Sequence, residues 1–379
     1  MLTKFSVKNF KNFKDEIVFD LSKSRDYKFN QECIKDGIVN KSIIYGKNAS
    51  GKTNLILGIF DVVSNLTDKM AIPHGNVDNP YIFYKNLSDQ ANDTVDFHYE
   101  FLLDGKKVEY FYKKNDKDTF VYESLIVDGM VMVELDRAKS NSIILDWKSL
   151  EESGFDNSLK DNKLSVIKYI YKNSKVKDFT DIVSKSFVSL MTFVEKMLMF
   201  YSLEKMGFIG FESSTHKNIY SEILSRNKLK DFQMFLADFG LDYDLVETTD
   251  QFNNPSIAIN FGKNKVLFHQ ICSSGTSALT LFYYWYMDIE KISLLVIDEF
   301  DAFYHHKLAS DIVRKLINNG CQVILTTHNT SVMTNDLMRP DCYFNIENNG
   351  IKSFSDLTNK ELRFAHNLGK LYTSGKFDG

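Results

Sequence analysis

The sequence predicts an α/β fold in which a mixed central sheet with flanking helices is combined with an antiparallel β-meander and a compact helical insertion lobe. A glycine-rich loop, residues 46–53, stands between a short apolar strand and a helix. A second apolar strand, residues 294–297, is followed by two carboxylates. Between these segments, residues 94–147 alternate apolar and polar side chains around two Asp-Gly turns, which is typical of β-hairpins.

The glycine-rich loop fits the pattern G-x-x-x-x-G-K-[ST] at every position. An apolar strand, residues 42–45, precedes it and a helical segment, residues 54–63, follows, which is the context that the pattern requires. In such loops backbone N–H groups surround a phosphate and the positive end of the helix points at it. Lys52 is expected to bridge the β- and γ-phosphates, and Thr53 to ligate Mg²⁺. The sequence therefore predicts ATP and Mg²⁺ as ligands, and the predicted contacts are Gly46, Lys47, Asn48, Ala49, Ser50, Gly51, Lys52, Thr53 and Asn54.

Two later strands end in side chains that suit the same site. Asp298 and Glu299 follow the second apolar strand, and the carboxyl ends of strands are where open α/β sheets place ligands. Asp298 would hold Mg²⁺ through water, and Glu299 would act as the general base on the attacking water. The strand of residues 321–328 ends in His328, and one βαβ unit would direct both strand ends to one crevice. An acidic strand end alone is as often structural, and a lone histidine at a strand end is more often so. Together with the P-loop, the two strand ends predict catalytic roles for Glu299, His328 and Lys52.

A polar segment at the start of a predicted helix is a further candidate. The segment is Ser273, Ser274, Gly275 and Thr276, and it precedes an apolar helix over residues 278–286. Serine and glycine at a helix start are first of all caps. The backbone N–H groups there are also a ready anion site.

The order of these motifs is more specific than any one of them. A P-loop, a Ser-Ser-Gly-Thr helix start, an acidic strand end, Asp301 and then a histidine resemble the ABC-type ATPase head of the SMC, RecF and OLD proteins. The resemblance covers residues 1–66 and 256–350. Three phrases, at residues 298–308, 339–347 and 368–376, look like those of small ATPases from phage-defence operons: the RloA/AbiL-type proteins, the PARIS ATPase AriA and the Septu ATPase PtuA.

The resemblance implies a role for each motif. Residues 46–53 match Walker A, 273–276 the signature motif, 298–299 Walker B with its catalytic glutamate, 300–302 the D-loop, and His328 the switch histidine. In that family the signature loop of one subunit completes the nucleotide site of the other. The implied assembly is a homodimer or higher homo-oligomer with ATP between its heads, in which Ser273, Ser274, Gly275, Thr276 and Asp301 contact the nucleotide. Cys272 and Ser274 depart from the usual signature, and either change could slow hydrolysis.

Length and composition limit the alternatives. The chain has 379 residues, 44% of them hydrophobic, which allows a large core. Its formal net charge of −4 lacks the basic surplus of a nucleic-acid coat protein. We predict the two halves of an ATPase head at residues 1–150 and 256–379. Residues 151–255 would form the helical lobe, with helical spacing over 160–205 and 228–240. This helical stretch is too short and too irregular for a long coiled coil. Four cysteines without a C-x-x-C pair, no signal peptide and no membrane span predict a cytoplasmic protein without a zinc site.

The resemblance implies a sensor or scaffold in antiphage defence, whose ATP-driven dimerisation controls an effector. We expect that effector, a nuclease or other toxin, to be a separate protein, because no nuclease motif or metal cluster stands outside the predicted ATP site. The alternative is a RecF-like DNA-repair ATPase. It would use a lysine patch on the meander in which aromatic residues are interleaved, and DNA is therefore a possible partner. The other interpretation of that patch is a charged outer face of a sheet; its members are Lys106, Lys107, Lys113, Lys114 and Lys117.

Overall fold

A computed structural model of the chain describes residues 1–69, 84–88, 94–201, 207–210, 218–347 and 350–377. Two seven-stranded sheets contain most of the described strands. One is mixed and carries the P-loop, and the other is the antiparallel meander. The predicted α/β fold, with a mixed central sheet and a separate meander, is confirmed.

The central sheet is parallel in its middle and antiparallel at its edges. Its strands, in spatial order, are β12 (Gly207–Gly210), β11 (Met197–Tyr201), β16 (Leu294–Ile297), β17 (Gln322–Thr326), β5 (Lys41–Tyr45), β18 (Tyr343–Glu347) and β19 (Gly350–Ser353). From β11 to β18 all neighbours are parallel, whereas β12 and β19 pair antiparallel. Strands β16, β17 and β5 are buried along their whole length, as expected where elements cover both faces of a parallel sheet.

The second sheet is antiparallel throughout. Its spatial order is β10 (Ile144–Leu145), β9 (Met130–Asp136), β8 (Phe120–Val127), β7 (Lys106–Lys114), β6 (Val95–Leu103), β1 (Leu2–Lys8) and β2 (Ile17–Asp20). Both predicted Asp-Gly turns are present, with φ +50° at Asp104 and +47° at Asp128. The glycines that follow are left-handed as well, with φ +75° and +83°, which matches the twist of a tight hairpin.

Helices and two small sheets complete the described structure. The helices are α1 (Lys52–Leu66), α2 (Lys148–Glu152), α3 (Val166–Asn173), α4 (Ile182–Glu195), α5 (Ile219–Ser225), α6 (Leu229–Asp238), α7 (Phe268–Ile271), α8 (Ser274–Tyr286), α9 (His306–Ile317) and α10 (Leu368–Thr373). The small sheets pair β3 (Ile34–Lys35) with β4 (Ile38–Val39), and β14 (Pro255–Asn260) with both β13 (Leu245–Thr249) and β15 (Lys265–Leu267). Within the described ranges, every helix is too short or too polar to cross a lipid bilayer.

The prediction of a helix through Met197 is wrong. Helix α4 ends at Glu195, and the following apolar run is strand β11, which pairs in parallel with β16 of the central sheet. A short apolar run fits the helical period of 3.6 residues as well as the strand period of two. Here its pairing with the buried strand β16 makes it a strand. Residues 151–255 therefore contribute two strands, β11 and β12, to the central sheet as well as helices. The division of the chain at residues 150 and 255 stays a prediction. The helix expected at 228–240 is confirmed as α6.

Helix α1, which follows the P-loop, packs directly on the antiparallel sheet. At Gly58 a Cβ atom would lie 2.9 Å from the ring of Phe5. The Tyr99 hydroxyl donates to the Gly58 carbonyl at 2.6 Å. Glycine inside a helix costs roughly 0.5–1 kcal/mol relative to alanine, but here it lets the helix backbone touch the sheet.

A buried ion pair also joins α1 to the meander. Lys114 Nζ lies 3.2 Å from Asp61 Oδ2, and both side chains are 1% exposed. The carboxylate also accepts hydrogen bonds from Tyr84, Tyr112 and Asn65. Burial lowers the pKa of Lys114, and the Asp61 charge opposes that shift. A buried carboxylate with four donors has its charge compensated, so the network fixes α1 relative to β7.

Replacing Lys114 with methionine should destabilise the protein by about 3–5 kcal/mol, because it leaves the Asp61 charge buried without its cation. Urea unfolding followed by far-UV circular dichroism measures the effect. The matched control is Lys113→Met on the opposite face of the same strand, where Lys113 pairs with Asp96 at 3.0 Å and is 38% exposed. That change should cost less than about 1 kcal/mol. Equal effects of the two substitutions would contradict the role given to the buried pair.

Candidate functional site: a P-loop cleft at the end of the central sheet

Three neighbouring strands bring the predicted motifs to one edge of the sheet. Strand β17 pairs in parallel with both β16 and β5. Their carboxyl ends therefore meet, and these ends lead into Asp298, into His328 and into the P-loop. Ligands of open α/β sheets bind at such an edge.

The P-loop has a backbone that its glycines make possible. Gly51 has φ +102°, and a Cβ atom there would lie 2.6–2.7 Å from side-chain atoms of Asn12 and Phe13. A Cβ atom on Gly46 would lie 2.8 Å from the carbonyl oxygen of Ile346. Helix α1 begins immediately after Gly51, at Lys52. The loop therefore ends at a helix N-terminus, the arrangement that binds phosphate in P-loop proteins.

Lys52 connects the loop to His328. Its ammonium donates to the carbonyl oxygens of Gly46 at 3.0 Å and Lys47 at 3.3 Å, and it contacts His328 Nε2 at 2.7 Å. An ammonium group can only donate, so Nε2 accepts and the imidazole proton is on Nδ1. Burial lowers the pKa of His328, and the Lys52 charge lowers it further. Burial also lowers the pKa of Lys52, while Asp298 and Glu299 oppose that shift.

Asp298 is buried and connects all three strands. Its Oδ2 accepts a hydrogen bond from the Thr53 hydroxyl at 2.7 Å, and its Oδ1 accepts one from the Thr326 hydroxyl at 2.5 Å. The same Thr326 oxygen accepts from the backbone N–H of Glu299 at 2.8 Å. Glu299 is exposed and has φ +49°, an uncommon conformation for a residue other than glycine. Its carboxylate is thus presented to solvent from a backbone that the buried neighbour restrains.

A cleft of about 550 Å³ lies at this edge of the sheet. Its lining comprises Asn12, Asn48, Ala49, Ser50, Gly51, Lys52, Thr53, Asn54, Glu299 and His328. Ser50 Oγ is buried here and has no hydrogen-bond partner among the described residues, which leaves a donor for a bound group. A hydroxyl and a carboxylate oxygen are ligands that Mg²⁺ prefers, and Thr53 and Asp298 provide them side by side. The residues present fit a magnesium-bound nucleoside triphosphate.

A second cavity of about 520 Å³ adjoins the first and shares Glu299 and His328 with it. Asp301 lies in this second cavity, where its Oδ1 accepts a hydrogen bond from the Thr327 hydroxyl at 2.6 Å. Asp301 is thus placed beside Glu299 and His328 and is not part of the P-loop cleft lining.

The Ser-Ser-Gly-Thr segment lies at the N-terminus of α8, as predicted, and is not part of the P-loop cleft lining. Ser273 is the N-cap, and its oxygen accepts from the Thr276 N–H at 3.2 Å. Ser273 and Ser274 are exposed. A Cβ atom on Gly275 would lie 3.0 Å from the carbonyl oxygen of Phe303, so the segment packs closely beside the loop that carries Asp301. The capping role is present in one chain, and the nucleotide role of these four residues stays a prediction.

Sequence reasoning missed Thr326 and Thr327, which hold the acidic residues in place. The available signal was a pair of hydroxyl residues just before a histidine at the end of an apolar strand. Asn12 is also part of the cleft, where its Oδ1 accepts from the Asn54 amide at 2.7 Å.

Four lysines of the predicted meander patch are paired with acidic side chains in the described structure. Lys106 pairs with Asp128, Lys107 with Glu100 and Glu109, and Lys113 with Asp96, at distances of 2.7–3.0 Å. Lys114 is buried against Asp61, and the interleaved Tyr110 and Tyr112 are buried as well. Acidic partners and burial therefore favour the second interpretation, a charged outer sheet face.

One family model matches part of the chain. Residues 197–334 match the family described as AAA domain, putative AbiEii toxin, type IV TA system. The matched segment contains both the acidic strand end and His328. The match supports an ATPase-type domain over this segment. No curated protein matches the chain by sequence.

Three solved structures are similar over most of the chain. One is an SMC head bound to the C-winged helix domain of ScpA, with 15% identity, a TM-score of 0.47, and coverage of 93% of this chain and 96% of that chain. The SMC head domain from Thermotoga maritima has 12% identity, a TM-score of 0.43, and coverage of 93% and 97%. An SMC head with an extended coiled coil, bound to the C-terminal domain of ScpA and derived from Pyrococcus furiosus, has 15% identity, a TM-score of 0.44, and coverage of 94% and 97%.

The contact between Lys52 and His328 predicts a titration that nuclear magnetic resonance of the histidine ring can follow. In the nucleotide-free protein His328 should titrate below about 6.5, the usual imidazole pKa. Lys52→Ala removes one of the two causes of the shift and should raise the pKa of His328, whereas Lys47→Ala, at an exposed loop position, should leave it unchanged. The folded protein favours neutral His328, so its pKa is lower in the folded than in the unfolded chain. The contribution of His328 to the free energy of unfolding is therefore present above its pKa in the unfolded chain, and it is lost as the pH falls through its lower pKa in the folded protein. A His328 titration that is insensitive to Lys52→Ala would contradict the contact.

Proposed function

We propose that the chain is an ATPase of the ABC type that hydrolyses ATP in the P-loop cleft. The observation that carries the proposal is the meeting of Lys52, Thr53, Asp298, Glu299 and His328 at one edge of the central sheet. A cation, a hydroxyl, a buried carboxylate, an exposed carboxylate and an imidazole are the groups that phosphoryl transfer to water needs. The family match over residues 197–334 supports the same activity.

Each residue has a defined task in this mechanism. Lys52 neutralises phosphate charge, and Thr53 and Asp298 would hold Mg²⁺, which supplies charge stabilisation to the transferred phosphoryl group. Glu299 accepts a proton from the attacking water, a task that suits a carboxylate in contact with solvent at the mouth of the cleft. His328, neutral and protonated on Nδ1, orients the water or the terminal phosphate.

We propose further that the complete site forms between two copies of the chain. Ser273 and Ser274 are exposed at a helix N-terminus and lie outside the cleft of their own chain. The adjoining cavity at Asp301 opens beside Glu299 and His328, where a second chain would cover the hydrolytic residues. In this arrangement Ser273 and Gly275 of one head contact the phosphates bound by the other, and ATP joins the heads.

The cellular role that we propose is antiphage defence, with the dimer acting as sensor or scaffold for a separately encoded effector. The description of the matched family as a putative toxin of a type IV toxin–antitoxin system supports this setting. The motif phrases described in the sequence analysis support it independently. The RecF-like alternative receives no support from the meander, because four lysines of the predicted patch are paired with acidic residues and one of these four is buried. Phage plating on cells that express this chain together with the neighbouring genes of its source genome tests the role, and protection that persists with Lys52→Ala and with Glu299→Gln would contradict it.

Two substitutions should separate nucleotide binding from hydrolysis. Lys52→Ala removes the cation that contacts phosphate and should abolish ATP binding, measured by isothermal titration calorimetry. Glu299→Gln keeps the cleft but removes the base, so binding should persist while turnover falls by about 10²–10⁴-fold. Lys148→Ala, at a position that is 85% exposed on α2, is the control and should match the unchanged protein. Turnover that survives Glu299→Gln would assign the base to another group.

ATP should double the mass of the Glu299→Gln protein in solution, because this variant retains the nucleotide that joins two heads. Multi-angle light scattering with Mg-ATP and with Mg-ADP measures the change. Ser273→Arg, which places a bulky side chain at the exposed helix start, should keep the protein monomeric in ATP without removing the P-loop cleft. A monomer in both nucleotides, in a protein that binds ATP, would contradict the shared site.

A further inference from the structure

The geometry points to Thr326 as a positioning residue that sets the orientation of both acidic residues of the proposed ATPase site. This inference rests on the proposed function, and it concerns a buried residue at the end of β17 that is not part of the cleft lining. Thr326 is 0% exposed. Its single hydroxyl both donates to Asp298 Oδ1 and accepts from the Glu299 backbone N–H, at 2.5 Å and 2.8 Å.

The first bond determines which oxygen of Asp298 is available to the cleft. One carboxylate oxygen is occupied by Thr326 from the sheet side, and the other faces Thr53 at 2.7 Å. The carboxylate plane is therefore fixed with Oδ2 beside the Thr53 hydroxyl, the arrangement proposed for Mg²⁺. Without the Thr326 hydroxyl, rotation about the Cβ–Cγ bond would no longer be restricted from the buried side.

The second bond supports the backbone of Glu299. A residue other than glycine at φ +49° is strained, and such strain persists only where the surroundings impose it. The bond from Glu299 N–H to Thr326 Oγ1 is one such restraint, and the neighbouring N–H of Phe300 donates to the Thr326 carbonyl at 3.1 Å. Thr326 thus holds the start of the loop after β16 through both its side chain and its backbone.

One hydroxyl therefore links a magnesium ligand to the general base. The order of the bonds is directional, because the Glu299 N–H donates to the hydroxyl and the hydroxyl donates to Asp298. A change in the Asp298 carboxylate reaches the backbone of Glu299 through two hydrogen bonds. Valine at position 326 keeps the shape of threonine but leaves Asp298 Oδ1 and the Glu299 N–H without their partner. Serine keeps the hydroxyl and loses only the methyl group.

The test compares Thr326→Val with Thr326→Ser. For Thr326→Val we expect kcat to fall by about ten- to hundredfold, since small displacements of catalytic groups have effects of this size, with the Kd for ATP within about threefold because the P-loop is unchanged. The half-saturating Mg²⁺ concentration should rise in parallel. Thr326→Ser should keep kcat within about threefold of the unchanged protein. Thr3→Val is the control for loss of a buried hydroxyl, because Thr3 Oγ1 donates to the Glu100 carbonyl at 3.0 Å, outside the cleft.

Amide hydrogen exchange at Glu299 gives a second measurement that needs no nucleotide. The Glu299 N–H should be protected in the unchanged protein and in Thr326→Ser, and should exchange faster in Thr326→Val. Unchanged exchange or kcat in Thr326→Val, or a Thr326→Ser protein as impaired as Thr326→Val, would overturn the inference. If the unchanged protein binds no ATP, the proposed function fails, and exchange at Glu299 alone decides whether Thr326 holds the acidic loop.

Discussion

The parallel pairing of β16, β17 and β5 is the constraint on which the rest of the site depends. Parallel register places three strand ends at one edge, so residues far apart in sequence become neighbours without any loop having to fold back. Asp298, His328 and Lys52 are each fixed by the end of a buried strand or the start of the helix that follows it. The relative positions of these three residues are thus a property of the sheet, and the loops add the P-loop backbone and the exposed Glu299.

Much of this arrangement could be predicted from the sequence, because the information is local. The P-loop pattern predicts a strand, a tight loop and a helix at once. An apolar strand that is followed by Asp-Glu or by His places these side chains at the carboxyl end of the strand, where the sheet binds ligands. The Asp-Gly turns likewise fix the hairpins of the meander through backbone preference alone. Such features need no knowledge of what lies opposite them.

The errors and omissions concern contacts between segments. Met197 was assigned to a helix because a five-residue apolar run shows neither a helical nor a strand period clearly. Its pairing with β16, and that of the following residues with β12, make the run a strand. Lys114 looked like one member of a lysine patch, whereas its partner Asp61 is on another element. The role of Thr326 depends on two residues from the adjacent strand end. None of these partners is visible in the local pattern.

The close approach at Gly58 also limits which sequences this architecture accepts. A side chain at that position would enter the space of the fully buried Phe5 ring, and it would separate the Gly58 carbonyl from Tyr99. In this architecture a third glycine, Gly58, can therefore be added to the two glycines of the P-loop pattern. It lies about two helical turns after Gly51. Chains that share the loop but carry a larger residue there must hold their helix farther from the sheet. A comparison of homologous sequences at this single position would thus separate relatives that keep the same helix-to-sheet distance from those that have changed it.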